Sequence, residues 1–467
     1  MTTSKDVPDG QFDDLELVDE KPLSWFDVSA MGTGEMLFTA GWAWIVYIAS
    51  SYGIKWTIIG FVAGALVINT AWWLYREMIT AVPEPGSIQS YGREAGMFSL
   101  GTSYFILYAP VYGAFMWLEL LVAQGLFGLL FPVVPTGIWP YVVILPVLGL
   151  NLMGRQITGK VQAVLVVITL VGDVLLAVGI WWLVADSGTW SANWESPTPV
   201  DFLTLFTVAG LWLGIMAGIL EVQQVLVDEW SDFARSRDVG LLSAAWQLWG
   251  RQLPLALAIL ASAPLAALIA FPVPTVGVIQ AKFGEATTHP LFYLALVTML
   301  IATYTTLSVF FMGMGKIVAL YAQQGALPRV FGRYSSRSVP WVALIVLAAF
   351  ALIGVYWNDF AFVQAALSTW SVTLYFMMAL FYLRMRARKD LDRPLRVKYG
   401  VPLAVFLLIY TALIAIGIIA LNWQAAASWF LLVLVITLYD KLVVPRTKRG
   451  AFYREQVLRR RTSAERL

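Results

Sequence analysis

The stretch Val161 to Val184, VQAVLVVITLVGDVLLAVGIWWLV, holds one charged residue, Asp173, and ends on the pair Trp181-Trp182. A bilayer's hydrocarbon core is about 30 Å thick and takes about 20 apolar residues of helix to cross. This segment is long enough to do so, and tryptophans at a span end are typical interfacial anchors. The rest of the chain follows the same pattern. Of 467 residues, 59% are hydrophobic and 13% charged, about half the charge of a soluble domain. About twelve apolar stretches of this kind follow, at 30–50, 56–80, 102–130, 138–153, 161–184, 202–227, 243–270, 290–320, 340–356, 361–383, 402–421 and 427–445, the fourth and ninth of them short. The reading is an all-α integral membrane protein, with its third and eighth spans long enough to tilt.

Composition also excludes. Cysteine is absent and His289 is the only histidine. That removes a disulfide framework, a thiolate zinc site, a cysteine nucleophile and a His-rich metal site. No nucleophile–base motif is visible, so no enzyme, cofactor or nucleic-acid partner is expected. The expected partners are the bilayer and a small solute, with the chain a monomer or homodimer. Residues 1–22 are acidic and lack the basic start and apolar core of a signal peptide. They read as part of a cytosolic tail, 1–29, and 446–467 as a basic cytosolic one.

Orientation comes from lysine and arginine. With a cytosolic N-terminus, the external loops hold only Lys55 and Lys282, and the loop at 384–398 alone holds Arg384, Arg386, Arg388, Lys389, Arg393, Arg396 and Lys398. The external segment 185–201 carries Asp186, Glu195 and Asp201 and no basic residue. Positive charge on the cytosolic side supports a plasma-membrane protein with both termini inside.

Four linking segments resemble those of the amino acid–polyamine–organocation (APC) superfamily. YREMITAVPEPGSIQSYGREAG (Tyr75 to Gly96) is similar to its Pro-Glu-x-Gly…Tyr-x-x-Glu-Ala-x-Gly signature between spans two and three. NLMGRQITGKVQ (Asn151 to Gln162), KIVALYAQQGALPRVFGRYSSRSVP (Lys316 to Pro340) and RPLRVKYGVP (Arg393 to Pro402) resemble its links before span five, after span eight and before span eleven. The resemblance implies a leucine-transporter-like inverted repeat of five plus five spans, 30–184 and 202–383, followed by two more spans in 402–445. It also implies that spans one and six are broken near the midplane, where irregular backbone lines a cavity.

The candidate site residues follow from those two spans. Gly32-Thr33-Gly34 matches the family's Gly-Ser/Thr-Gly, expected to interrupt the helix and present N–H groups to a carboxylate; the alternative is helix packing. Glu35 departs from the aliphatic residue usual there. A carboxylate in the bilayer interior needs a partner or a wet cavity, and an amine substrate would supply the first. In span six, Gly210, Gly214 and Gly218 form a stripe, and the resemblance puts Gly218 within one residue of the family's unwound glycine. Met216 stands where an aromatic gate is usual, Trp212 lies a turn earlier, Ala217 adjoins the break, and Glu221 follows. Glu119 and Asp173 bring the intramembrane carboxylates to four, with Arg251 the nearest basic candidate, expected toward the cytosol. Such groups take up protons or bind cations. The lysine that replaces sodium in many relatives is absent, with Thr169 in its place. That leaves Asp173 as a proton carrier, or a sodium site between span-one carbonyls and Thr305 or Ser308, or exchange without an ion. His289 reads as a loop residue or a proton sensor.

The function expected is secondary transport of an amino acid or small organic amine, leaning to a cationic, proton-coupled substrate. A neutral amino acid permease, an exchanger, a sodium symporter and a non-transporting sensor are the alternatives. The topology is directly testable, because the chain has no native cysteine. Trp190→Cys and Asp359→Cys should react with a membrane-impermeant maleimide added outside cells, and Gly10→Cys and Asp390→Cys should not. The reverse pattern would refute the orientation.

Overall fold

The structure, a computed structural model, describes residues 23–464 apart from 38, 217, 271–272, 285–288 and 358. The expected tail at 1–22 lies outside them. The described residues form helices, with one isolated β-bridge between Leu23 and Trp230. Seven helices are long and apolar enough to cross a membrane, and three shorter apolar helices accompany them.

Helix α1 (Trp25–Met36) starts at a capping box. Ser24 Oγ accepts from the Asp27 N–H at 3.3 Å, and Asp27 accepts from the Ser24 N–H at 2.8 Å. Both orphan donors are thereby met at the helix start. Helix α2 (Ala40–Ala81) carries the rest of the first expected span and all of the second, divided by a kink at Gly53 (φ 76°, ψ 168°). The polar connection at 83–99 bends at Ser87 and forms α3 (Ile88–Glu94). Much of α3 is buried rather than solvated: Tyr91, 1% exposed, donates to Gln224 Oε1 at 2.6 Å. Helices α4 (Phe98–Leu130), α5 (Trp139–Leu152) and α6 (Arg155–Leu183) complete the first half.

The second half opens with α7 (Phe202–Met216) and the short α8 (Val222–Val225). The expected seventh span is a helical run over 233–260 that contains two π-helical turns, Ser236–Gly240 and Leu248–Gln252. It ends earlier than expected, since Pro264 starts a new direction with α9 (Leu265–Leu268). Helices α10 (Pro274–Phe283), α11 (Pro290–Gln323), α12 (Trp341–Gly354) and α13 (Phe360–Ala387) follow. Helix α4 has 33 residues and α11 has 34. At 1.5 Å per residue each is about 50 Å long, which fits a 30 Å core only at a tilt. Helices α14 (Gly400–Leu421) and α15 (Trp423–Leu442) pack on the outside. The basic end is not a free tail: α16 (Lys448–Ala464) folds back so that Arg454 pairs with Asp440.

Small residues set the close approaches. A Cβ on Gly60 would lie 3.0 Å from Val208 Cβ, and one on Gly214 would lie 2.5 Å from Ser368 Oγ. Glycines at such contacts let helix backbones draw together where no hydrophobic force drives them. Gly53 has a second reason. Its φ is positive, and a Cβ there would sit 2.6 Å from the Glu195 carbonyl carbon. Gly53→Ala should therefore destabilise by about 1 kcal/mol or more, read as a lower melting temperature in detergent. An unchanged melt would show that the loop at 185–201 is not held against this kink.

Candidate substrate site

Two interrupted helices meet in the middle of the bundle. In span six, α7 ends at Met216 and the chain turns through Gly218, φ 102°, before α8. Only glycine adopts that backbone cheaply. Ala217 lies outside the described residues. A Cβ on Gly218 would collide with Glu35 Oε1 and the Tyr112 hydroxyl. The carboxylate of span one thus lies directly on the unwound backbone of span six.

Glu35 is 2% exposed, and neither of its oxygens has a hydrogen-bond partner among the described residues. The Tyr112 hydroxyl beside it is likewise unpartnered. Burying such groups unpaired costs free energy, so this is where a polar ligand or water is called for. Aromatic rings close the surroundings. Tyr112 meets Trp370 at 5.6 Å, Tyr108 at 6.0 Å and Phe310 at 4.9 Å between ring centroids, and Tyr108 meets Trp370 at 5.7 Å. The hydroxyls of Tyr108 and Tyr375, Ser368 Oγ and the Trp370 ring nitrogen are buried without partners. A carboxylate among ring faces suits a cationic group.

The other span-six carboxylate is differently placed. Glu221 accepts from Tyr75 Oη at 3.1 Å and from the Leu220 N–H at 3.1 Å. It is near Glu35 but held by donors of the protein.

Span one is not interrupted at its glycines. Helix α1 continues through Gly32, Thr33 and Gly34 to Met36, and α2 begins at Ala40. The glycines serve close packing: a Cβ on Gly32 would meet Gln223 and lie 2.7 Å from Ala244 Cβ, and one on Gly34 would meet Gln162. Their N–H groups belong to a continuous helix and do not form a half-helix N-terminus. That N-terminus is at Ala40, whose N–H donates to Glu119 Oε1 at 3.0 Å. Glu119 Oε2 accepts from Thr303 at 2.8 Å. At the other end of the break, Arg251 Nη1 donates to the Met36 carbonyl at 2.9 Å and pairs with Asp173. Asp173 is therefore an ion-pair partner, not the free acid expected from its span.

The remaining expected residues are brought elsewhere. Trp212 donates to the Thr57 carbonyl at 2.8 Å and packs edge-on to Phe61, which removes it from any gate. Met216 faces span two beside Gly64. Thr169 bonds back to the Leu165 carbonyl at 3.0 Å, and Thr305 to the Ala302 carbonyl at 2.7 Å. Ser308 accepts from Asn151 at 3.3 Å. The span-eight hydroxyls that reach span one are Thr306, on the Gly34 carbonyl at 2.9 Å, and Thr303. His289 caps α11 by accepting the Leu291 N–H at 3.2 Å and stacks on Phe283. Among the described residues no group of His, Asp and Glu could hold a metal ion. Tyr108, Tyr112 and Trp370 were missed by sequence reasoning; the one available signal was Tyr108 and Tyr112 a helical turn apart on a span rich in buried groups.

Residues 23–439 match the family model described as amino acid permease. The chain belongs to the amino acid permease family. It is a multi-pass membrane transporter of the secondary class, not an enzyme. Its fold is also that of a solved structure of Mhp1, a nucleobase-cation-symport-1 family transporter in a closed conformation with bromovinylhydantoin bound. The two share 16% identity over 93% of this chain and 96% of that one, with a TM-score of 0.53. At that identity the likeness shows the fold alone. This permease has its broken spans one and six facing each other around Glu35 and Gly218, and Gly218→Ala should abolish substrate uptake into proteoliposomes. Uptake at the parental rate would show that the contact between Glu35, Tyr112 and Gly218 is dispensable.

Proposed function

We propose that this permease carries a small organic amine as a cation, with the ammonium group on Glu35 and its methylenes against Tyr108, Tyr112 and Trp370. The observation that carries the reading is the buried Glu35 carboxylate, with both oxygens unpartnered among the described residues. A substrate carboxylate finds less support. The Gly32–Gly34 amides are inside a helix and the Ala40 amide is taken by Glu119. We assign the coupling proton to Glu221, which is buried and held by neutral donors, whereas Asp173 is matched by Arg251. The positive-inside pattern supports cytosolic termini and a plasma-membrane location.

The second reading is a neutral amino acid, favoured by the family's own description. Paired ligands separate the two: an amino acid and the amine left by its decarboxylation, each measured by thermal shift and by counterflow. The amine should bind more tightly. A charge-assisted hydrogen bond is worth about 1.5–3 kcal/mol, so Glu35→Gln should weaken amine binding roughly 10–100-fold. Glu221→Gln should keep counterflow and lose uptake driven by a proton gradient. Parental amine affinity in Glu35→Gln, together with preference for the amino acid, would overturn the cationic reading.

A further inference from the structure

The break in span one has a feature that the substrate reading does not use. Its two ends carry opposite partial charges: free carbonyls where α1 stops and free N–H groups where α2 starts. Each end is met by an opposite charge from a different span. Glu119 of α4 takes the Ala40 N–H, and Arg251 of the run 233–260 takes the Met36 carbonyl. Arg251 reaches further. Its guanidinium lies 5.3 Å from the Trp42 ring centroid, on the second half of span one, and its Nε pairs with Asp173 of α6. One side chain therefore touches both halves of the broken span and a third helix. It does so from a π-helical turn, Leu248–Gln252, a distortion frequent at functional positions. Arg251 and Asp173 are 5% and 1% exposed.

We propose that Arg251, aligned by Asp173, is a positioning residue that staples the first half of span one to spans five and seven, and that its release lets α1 swing while Glu119 keeps the second half in place. The difference between the two halves carries this: α1 has 12 residues, whereas α2 has 42 and includes span two. The start of α2 is held by Glu119, whose second oxygen is fixed by Thr303, and it continues without a chain break into span two. The end of α1 is held by Arg251 on the Met36 carbonyl and by Thr306 on the Gly34 carbonyl. Between them lie only residues 37–39. The planar guanidinium presents Nε and Nη1 to the carboxylate and the carbonyl in one fixed geometry, whereas a lysine would offer both acceptors a single nitrogen on a flexible stem.

The test uses the absence of native cysteine and needs no substrate, so its failure would leave the amine reading untouched. Ala30 of α1 is 3% exposed and packs on Ala163, Val166 and Ala302, so Ala30→Cys reacts with a maleimide only when α1 moves away. In nanodiscs, adding Asp173→Val and Arg251→Met together removes the staple without leaving a lone buried charge. Labelling at position 30 should rise about tenfold as local opening becomes easier. Labelling of a control, Ala348→Cys in α12, 4% exposed, should not change. Arg251→Lys retains the charge opposite Asp173 and should give an intermediate rise. It also provides the answer if the double variant does not fold. Parental labelling at position 30 in a folded double variant, or in Arg251→Lys, overturns the proposal. An equal rise at both positions overturns it as well, since the pair would then be holding the whole bundle together.

Discussion

A helix interrupted inside hydrocarbon has no water to satisfy its loose backbone groups, and each group left unpaired costs several kcal/mol. The centre of this molecule is organised by that constraint. Span one stops at Met36 and restarts at Ala40, and the loose ends are met by Arg251, Glu119 and, one turn back, Thr306. Those three residues come from three different helices, so the break exists only once the bundle has assembled. Span six solves the same problem locally, within its own segment, where the Glu221 carboxylate accepts the Leu220 N–H. Gly218 turns at positive φ, and the Glu221 N–H donates back to its carbonyl at 2.8 Å.

The same constraint explains why ion pairs gather at one face. Glu229 lies between Arg155 and Lys316, and Glu77 is met by Arg386, Tyr382 and the Val397 N–H. These clusters tie the segments that enter spans one, five and eleven to spans two, eight and ten, carried by α2, α11 and α13. Leu23 adds backbone pairing to Glu229 and Ser231. Polar contacts thus join segments far apart in sequence at these two clusters.

The sequence made the spans legible because length and hydropathy are local properties, and it made Gly218 legible because a positive φ demands glycine. The break in span one was misplaced for the complementary reason. Gly32 and Gly34 lower helix propensity, but a capping box at Ser24 and close packing against Gln223 and Gln162 keep the helix intact past them. The break falls at a chain position with no glycine, because its stability comes from Glu119 and Arg251, 79 and 215 residues away in sequence from the groups they hold. The Asp173–Arg251 pair has a separation of 78 residues and no periodicity to announce it. Tyr112 was missed because an aromatic in an apolar span looks like packing until its hydroxyl is seen beside Glu35.

Four intramembrane carboxylates stood as candidates in the sequence, and their partners separate them. Asp173 faces a guanidinium, Glu119 an amide and a hydroxyl, and Glu221 an amide and a phenol. Glu35 alone among them has both oxygens unpartnered among the described residues. A fixed cation opposite a carboxylate leaves no place for a second, while neutral donors leave the charge itself uncompensated. The arrangement therefore grades the four by how much positive charge each still calls for. Asp173 calls for none, Glu119 and Glu221 for as little as a proton, and Glu35 for a charge that also donates hydrogen bonds. An ammonium group is the smallest organic entity that meets the last requirement, and the ring faces of Tyr108, Tyr112 and Trp370 favour one that carries apolar substituents.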